Sequence, residues 1–271
     1  MLPGGGRAHI WGEKKLNELA NLSIKDIEGL YAAGATEELV AACRADKRQG
    51  VQRLVRRYER EQKERARVAA LYAYERECWV VGENLVAGVD EAGRGPLAGP
   101  VSVAAVILPH DCYIPHLNDS KKLSPERRAE LYDEIQEKAV AIGTALVDAA
   151  TIDRVNILQA TMNGMYESIF ALNPAPQAVL IDAVELEGLD VPTHAIIKGD
   201  AKSASIAAAS IIAKVTRDRL MDEYDKEYPQ YGFAQHKGYG TAEHIAAIRK
   251  YGPCPIHRRS FEPIKSMMRG Y

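Results

Sequence analysis

Leu85-Val-Ala-Gly-Val-Asp-Glu-Ala-Gly-Arg-Gly-Pro-Leu-Ala-Gly-Pro100 joins an apolar run to two acids and then to a loop rich in glycine. Leu85–Val89 has the continuous apolar character of a strand buried on both faces, and it ends at Asp90 and Glu91. Gly93, Gly95 and Gly99 let the backbone come close to a phosphate or sugar, and Arg94 adds a planar set of donors. A dinucleotide-binding fingerprint fails here, because Gly-Arg-Gly-Pro-Leu-Ala-Gly runs into prolines and a second strand, Pro100–Leu108, instead of a helix. No Gly-Lys-Ser/Thr follows, so it is not a Walker loop either. A plain hairpin-type loop stays open on the chemistry alone.

Outward from this stretch, Gly143–Ala150, Ala178–Asp182 and Thr193–Ile197 read as further strands. Pro125 at a first helical position opens a helix reaching about Ala141, Asp153–Leu172 is a second, and the alanine-rich Ser205–Tyr224 a third. Strand-strand order followed by alternation with helices predicts an α/β domain over residues 79–271, one mixed five-stranded sheet flanked by helices. Residues 1–78 have a different character and read as an N-terminal helical extension of open role. Ser23-Ile-Lys-Asp26 caps a short helix over Ile27–Ala33, and Val51, Leu54, Val55 and Tyr58 share one helical face. Asp46–Arg67 carries nine basic and four acidic residues, either a solvated, salt-bridged helix or an arm for a nucleic-acid backbone.

Composition narrows the class. With 271 residues, 46% hydrophobic content and a net charge of −2, the chain is no histone-like binder, and any basic surface must be local. No apolar run approaches the roughly 18–20 residues a membrane span needs, and Met1–Arg7 has no secretory apolar core. The expectation is a cytoplasmic protein. Cys43, Cys78, Cys112 and Cys254 form no CxxC pair and read as free thiols.

Three acidic positions share a setting. Asp90-Glu91, Asp182 and Asp200 each follow an apolar segment and lie beside glycine or small residues. Carboxylates at strand ends face the crevice where open α/β sheets bind ligands, and a cluster of them repels itself unless a cation neutralises it. Hard oxygen donors without histidine or thiolate suit Mg²⁺ or Mn²⁺. Each aspartate alone is an ordinary turn or cap residue, and spacing does not establish that they meet.

The motifs Val86–Pro100, Leu117-Asn-Asp-Ser-Lys-Lys-Leu-Ser124, Lys198-Gly-Asp200, Ala207–Asp218 and Tyr231–Thr241 occur in order between about Trp79 and Glu262. Together they resemble ribonuclease HII, a type 2 ribonuclease H. The resemblance implies a ribonuclease H-like fold and a metal site of Asp90, Glu91, Asp182 and Asp200, filled by Mn²⁺ or Mg²⁺, two ions during catalysis. It implies that Gly93, Arg94 and Gly95 read the ribose 2′-hydroxyl and that Tyr239 packs on the sugar at an RNA–DNA junction. Where the family pattern places glycine after the third carboxylate, this chain has Ala183. Ribonuclease HIII, the sister family, favours lysine in the Gly-Arg-Gly element and glutamate as the last carboxylate; Arg94 and Asp200 point away from it.

The implied substrates are RNA–DNA hybrids and DNA containing ribonucleotides, cut 5′ of a ribonucleotide to leave 3′-hydroxyl and 5′-phosphate ends. The expectation is a monomer with no required protein partner. Lys198 is expected to bind substrate, with Lys202 and Lys214 as further phosphate contacts. His236, Arg249, Lys250, Arg258 and Arg259 suit a surface that tracks a duplex. Asp200 is expected to draw on the amides at the start of the Ser205 helix. Two further readings stay in play: a hybrid-binding protein without catalysis, and a nucleotide-dependent enzyme using the glycine-rich loop.

Overall fold

The structure, a computed structural model, describes residues 19–269; the glycine-rich start lies outside the described residues. The chain divides into two compact units, Met1–Arg67 and Val68–Tyr271.

In the first unit Ser23 itself is the N-cap, so helix α1 spans Ile24–Ala32 and starts earlier than the apolar pattern predicts. The Ser23 hydroxyl accepts from the Asp26 amide at 3.2 Å, and the Asp26 carboxylate accepts from the Ser23 amide at 3.1 Å. Thr36 caps α2 (Glu37–Ala45), and a long α3 (Gln49–Ala70) follows. Val51, Leu54 and Val55 face inward against Leu39, Cys43 and Ile27. Tyr58, on the same face, is half-buried and sets its ring edge-on to Tyr31 at 5.0 Å.

In the second unit α4 (Ala73–Val80) leads into strands β1 (Val86–Ala92) and β2 (Val101–Ile107). Next come α5 (Pro125–Lys138), β3 (Ala141–Val147), α6 (Ala149–Val155), α7 (Ile157–Phe170), β4 (Ala178–Asp182) and β5 (Thr193–Ile196). Then follow α8 (Ala204–Glu227), the single turn α9 (Phe233–His236), α10 (Ala242–Tyr251) and α11 (Ile264–Arg269). The sheet order is β3-β2-β1-β4-β5: β1–β2 and β2–β3 are antiparallel, β1–β4 and β4–β5 parallel. This is the mixed five-stranded α/β sheet expected from the sequence.

Two local readings are corrected. Strand β3 ends at Val147, not Ala150, because Asp148 turns to cap α6 and accepts the Thr151 amide at 2.7 Å. The single helix expected over Asp153–Leu172 is two helices. Asn156 takes φ 73°, breaks the chain there and caps α7 with its own side chain.

Strand alternation sorts the core. Ala87 and Val89 face Met165 and Ile169 of α7, whereas Val86 shares its face with Ala178, Leu180 and Ile206. A Cβ on Gly88 would lie 2.1 Å from the Ser205 carbonyl carbon, so glycine here lets the alanine-rich α8 lie directly on the sheet. Among the described residues no helix is long and apolar enough to cross a membrane.

Candidate active site

Parallel register pairs Gly88 with Leu180, so two residues on, Asp90 lies beside Asp182 on the same face. Asp182 ends β4, whereas β1 runs on past Asp90 to Ala92, paired with β2, and does not end at the aspartate as the apolar run suggests. Asp200 comes from a 3₁₀ turn, Gly199–Ala201, between β5 and α8. One carboxylate oxygen from each of Asp90, Asp182 and Asp200 lies within 4.8 Å of the others. Asp90 and Asp200 are buried and Asp182 is half-buried. Asp182 accepts the Gly199 amide at 2.7 Å, which ties the third carboxylate to the turn that carries the last. Ala183 holds a left-handed φ of 54°, a conformation only glycine adopts without strain.

Glu91 stands apart from this trio. It is the next residue along β1 and its oxygens are not among the three that gather, though its charge acts on Asp90. Its Oε1 meets Arg94 Nη1 at 3.4 Å, and its buried Oε2 has no hydrogen-bond partner.

Burial pushes the Asp90 carboxyl well above the usual carboxylate range, and the negative charges of Glu91 and Asp182 push it further. Burial likewise raises Glu91, against the pull of Arg94, and raises Asp182, with Asp200 adding to the effect. Such repulsion is relieved by a cation. Oxygen-only donors, buried and mutually repelling, with one orphaned carboxylate oxygen alongside, fit a hard divalent ion such as Mg²⁺ or Mn²⁺.

Among the described residues, Lys121 is the basic group that meets the trio, its Nζ 3.4 Å from Asp200 Oδ2. Partial desolvation works against its charge, yet Asp200, Asp90 and Asp119 hold it above its ordinary value. Lys121 belongs to the Leu117–Ser124 motif, but its role was not readable there, since Asp119-Ser-Lys-Lys122 looks like a capped turn. Asp200 does not use the start of α8. Ser203 caps that helix, and buried Glu75 of α4 accepts from the Ser203 hydroxyl at 2.6 Å and the Ser205 amide at 2.9 Å.

The Gly93–Pro100 loop is held by two arginines with no surface exposure. Arg258 donates to the carbonyls of Gly99 (3.0 Å), Arg94 (2.9 Å) and Gly93 (2.6 Å). Arg217 donates to the carbonyls of Pro100 (3.0 Å), Lys237 (2.9 Å) and Ala98 (3.0 Å). Arg258 is therefore not part of a duplex-tracking surface, as its sequence context suggests; it is a strut inside the loop. Gly93 has φ 94°, and a Cβ there would strike the Arg217 guanidinium at 2.0 Å, so only glycine fits.

Arg94 and Gly95 stay exposed on the far side of the loop. Exposed Tyr239 stands beside Gly95, its ring 3.8 Å from where a Cβ on that glycine would be. The Leu97 amide bonds the Gly238 carbonyl at 2.8 Å, which ties the glycine loop to the tyrosine segment.

A chain of neutral rings supports Tyr239 from behind. Its carbonyl can only accept, so His244 Nδ1, at 2.9 Å, carries the proton. His244 Nε2 is then bare and faces His257 Nε2 at 3.0 Å, which must donate. His257 Nδ1, bare in turn, accepts the Cys254 amide at 2.9 Å and meets its thiol at 3.0 Å. Burial pushes both histidines down to about 4, which keeps this pattern neutral.

Of the expected phosphate contacts, Lys198 sits exposed on a left-handed backbone (φ 59°) and makes no ion pair among the described residues. Lys202 is exposed too, whereas Lys214 is committed to Asp218 at 2.6 Å. His236 is structural: its ring bonds the Tyr231 carbonyl at 2.8 Å and accepts the Gly238 amide at 3.2 Å.

Known proteins resemble the chain along most of its length. The family pattern described as Ribonuclease HII matches residues 87–264, and that of the Ribonuclease HII N-terminal domain matches residues 23–79. A ribonuclease HII from Geobacillus kaustophilus is 52% identical over 252 residues, covering 91% of this chain and 96% of that protein. One from Enterococcus faecalis is 52% identical over 243 residues, covering 88% and 95%. The crystal structure of ribonuclease H2 from Pyrococcus horikoshii superposes with a TM-score of 0.58 at 28% identity, covering 68% of this chain and 97% of that one.

Proposed function

The chain belongs to the ribonuclease HII family, and from that premise we propose that it is a metal-dependent endonuclease that hydrolyses the RNA strand of RNA–DNA hybrids and cuts 5′ of single ribonucleotides embedded in duplex DNA. The observation that carries this reading is the gathered trio Asp90 of β1, Asp182 of β4 and Asp200 of the turn after β5, with the Gly93–Gly95 loop following β1 and Tyr239 beside it. Pure binding of a polyanion has no use for clustered negative charge. Phosphodiester hydrolysis does, provided divalent ions lie between carboxylates and phosphate.

Asp90, Asp182 and Asp200 would hold the ions, and Glu91, whose buried Oε2 has no hydrogen-bond partner and whose charge acts on Asp90, would join them as a further ligand. A pair of such ions supplies Lewis acidity that readies water for attack on phosphorus and stabilises the departing 3′-oxygen. The protein's own part is recognition and alignment. Backbone groups of Gly93 and Gly95 lie open to a 2′-hydroxyl because neither residue has a side chain in the way, and Arg94 borders the same edge. The Tyr239 ring packs on the sugar at the junction and sets the scissile phosphate over the carboxylates, with Lys198 steadying a neighbouring phosphate. The products are 3′-hydroxyl and 5′-phosphate ends. Residues 79–271 would form the catalytic part and residues 1–78 an extension, although the last of these, from Val68, pack within the second unit.

The test is a labelled DNA duplex holding one ribonucleotide, incubated with Mn²⁺, Mg²⁺ or EDTA. Cleavage 5′ of the ribonucleotide with either metal and none in EDTA is expected. Cleavage of a long hybrid but not of this duplex would replace the reading with a ribonuclease HIII-like one. Tyr239→Phe should cost little and Tyr239→Ala much more if the ring, not the hydroxyl, meets the sugar.

A further inference from the structure

Glu75 of α4 is a buried carboxylate that no basic side chain pairs with among the described residues. Its Oε1 accepts from the Ser203 hydroxyl at 2.6 Å and from the Ser205 amide at 2.9 Å, while its buried Oε2 has no partner. Burial pushes the carboxyl up against the pull of these donors. A leucine would pack here without that cost, so the acid makes a poor brace for its own sake. What it grips is the segment that carries Asp200. The Ser203 amide donates to the Gly199 carbonyl at 2.8 Å and the Ala204 amide to the Leu71 carbonyl at 3.0 Å. At the other end of the same turn, the Gly199 amide donates to Asp182 at 2.7 Å. The turn is thus pinned on one side to the third carboxylate and on the other to residues 71–75. The Ser203 hydroxyl is fixed from both directions, because it also accepts the Ile206 amide at 3.2 Å.

We propose that Glu75 is a positioning residue for Asp200: acting through the Ser203 hydroxyl, it sets the turn so that the Asp200 carboxylate can share an ion with Asp90 and Asp182. The inference rests on the metal-site reading above. Asp200 itself meets the exposed Lys121 at 3.4 Å, a weak hold, so the backbone of the turn is what places its carboxylate. A ligand has to be held within about 0.5 Å of its working position, which is a task for the groups behind it. The proposal also moves a boundary. The pattern of the N-terminal domain reaches residue 79 and takes in Glu75, yet Glu75 lies in the compact unit that begins at Val68. Helix α4 therefore belongs to the foundation of the metal site.

Calorimetric titration of the full chain with Mn²⁺ tests this without turnover. Glu75→Leu removes the acceptor and should raise the half-maximal Mn²⁺ concentration roughly tenfold, the lower end for groups that stand behind a metal ligand. Ser203→Ala cuts the link but leaves Glu75 its Ser205 amide, and it should weaken binding in the same direction. The double variant should be no weaker than the worse single one, as expected of two groups acting in series. Glu75→Gln keeps an acceptor oxygen and should stay within about twofold of wild type. Tyr72→Phe, at the head of the same helix, removes the donor to the Cys112 carbonyl at 2.8 Å; it should lower Tm and leave the Mn²⁺ midpoint in place. In EDTA, amide exchange over residues 199–203 should quicken in Glu75→Leu and not in Tyr72→Phe. Unmoved midpoints in Glu75→Leu and Ser203→Ala overturn the proposal and leave Glu75 a brace. So does a Tyr72→Phe midpoint that moves as far as that of Glu75→Leu. Should Glu75→Leu fail to fold, Ser203→Ala decides alone. A wild-type chain that takes up no Mn²⁺ overturns the metal-site reading and this inference with it, whereas wild-type uptake with unmoved variants overturns this inference only.

Discussion

Two groups of like charge are buried at the two ends of one stretch of chain, and they are treated in opposite ways. The anionic trio has little to hold it: one amide on Asp90, one on Asp182, and Lys121 at 3.4 Å from Asp200. The cationic pair behind the glycine loop is saturated, every guanidinium nitrogen of Arg217 and Arg258 donating to a backbone carbonyl. Burial and mutual repulsion pull Arg258 down to about 9, and burial lowers Arg217, so neither comes without cost. The difference separates two uses of buried charge. Charge saturated by the protein's own dipoles fixes geometry, and charge left short of partners waits for something that arrives from outside.

The largest effect should come from Asp90→Asn. Cleavage should fall by about three orders of magnitude, as expected when several kcal/mol of charge stabilisation is lost. Stability in chelator should go the other way. A group whose folded pKa is raised contributes stability below its unfolded value and loses it as pH rises through the folded one. Wild-type Asp90 is such a group, and asparagine does not titrate. The variant should therefore gain on wild type as pH rises above about 4, the ordinary Asp value, read as a Tm difference in EDTA. A variant less stable than wild type at neutral pH would mean that Asp90 is a structural group.

Much of this contrast was legible in the sequence, though unevenly. Asp90, Asp182 and Asp200 stood out because each closes an apolar segment. That they meet depends on the parallel register of β1 and β4, which no local pattern specifies. Glu91 was picked out only as the neighbour of Asp90, and its oxygens are not among the three that gather. Arg217 left a faint signal, since it falls between Ala213 and Met221 at helical spacing in an otherwise apolar stripe. Arg258 left none: beside Arg259 it looks like surface, and only the folded loop supplies the carbonyls that bury it. Asn156 was unreadable for a related reason, because a left-handed asparagine breaks a helix that periodicity alone would continue.

The next largest effect belongs to the saturated side. Arg258→Met removes three donors and leaves the carbonyls of Gly93, Arg94 and Gly99 unpaired inside the protein. The loss should be about 3–5 kcal/mol, lowering Tm by roughly 10 °C, even though Arg217 is relieved of a like charge. Arg258→Lys should recover little, since an ammonium cannot span three carbonyls in a fork. A Tm unchanged in Arg258→Met would erase the contrast.

Protonation breaks the neutral histidine chain behind Tyr239 more gently. His244 and His257 ionise near 6.5 when unfolded and are pushed down to about 4 by burial when folded. The unfolded chain binds more protons between those values, so this stability is complete above about 6.5 and drains away as pH falls toward 4. On the order of 3 kcal/mol per ring is at stake. Urea midpoints across this range, taken in the Asp90→Asn background to reduce the opposing carboxylate effect, should fall with pH. A flat profile would mean that the rings are solvated or already charged.

Lys121 should give the smallest effect and the finest test, because it is the protein's own partial answer to the trio's charge. Its Nζ reaches Asp200, but its side chain is 75% exposed, so the pair is screened and contributes no more than about 1 kcal/mol. If Lys121 stands where an incoming cation would relieve the same repulsion, the two compete. Lys121→Met should then lower the Mn²⁺ concentration for half-maximal binding, measured by calorimetry, by roughly two- to fivefold. The same change removes a donor that can turn to a phosphate once the carboxylates are neutralised, so KM for a hybrid should rise while the metal midpoint falls. Opposite movement of the two quantities is what a gap-filling cation predicts. A Mn²⁺ midpoint that rises in Lys121→Met would show that the lysine orients Asp200 for the metal instead of competing with it, and the trio would then have to be counted as partly pre-satisfied, closer in kind to the arginine pair.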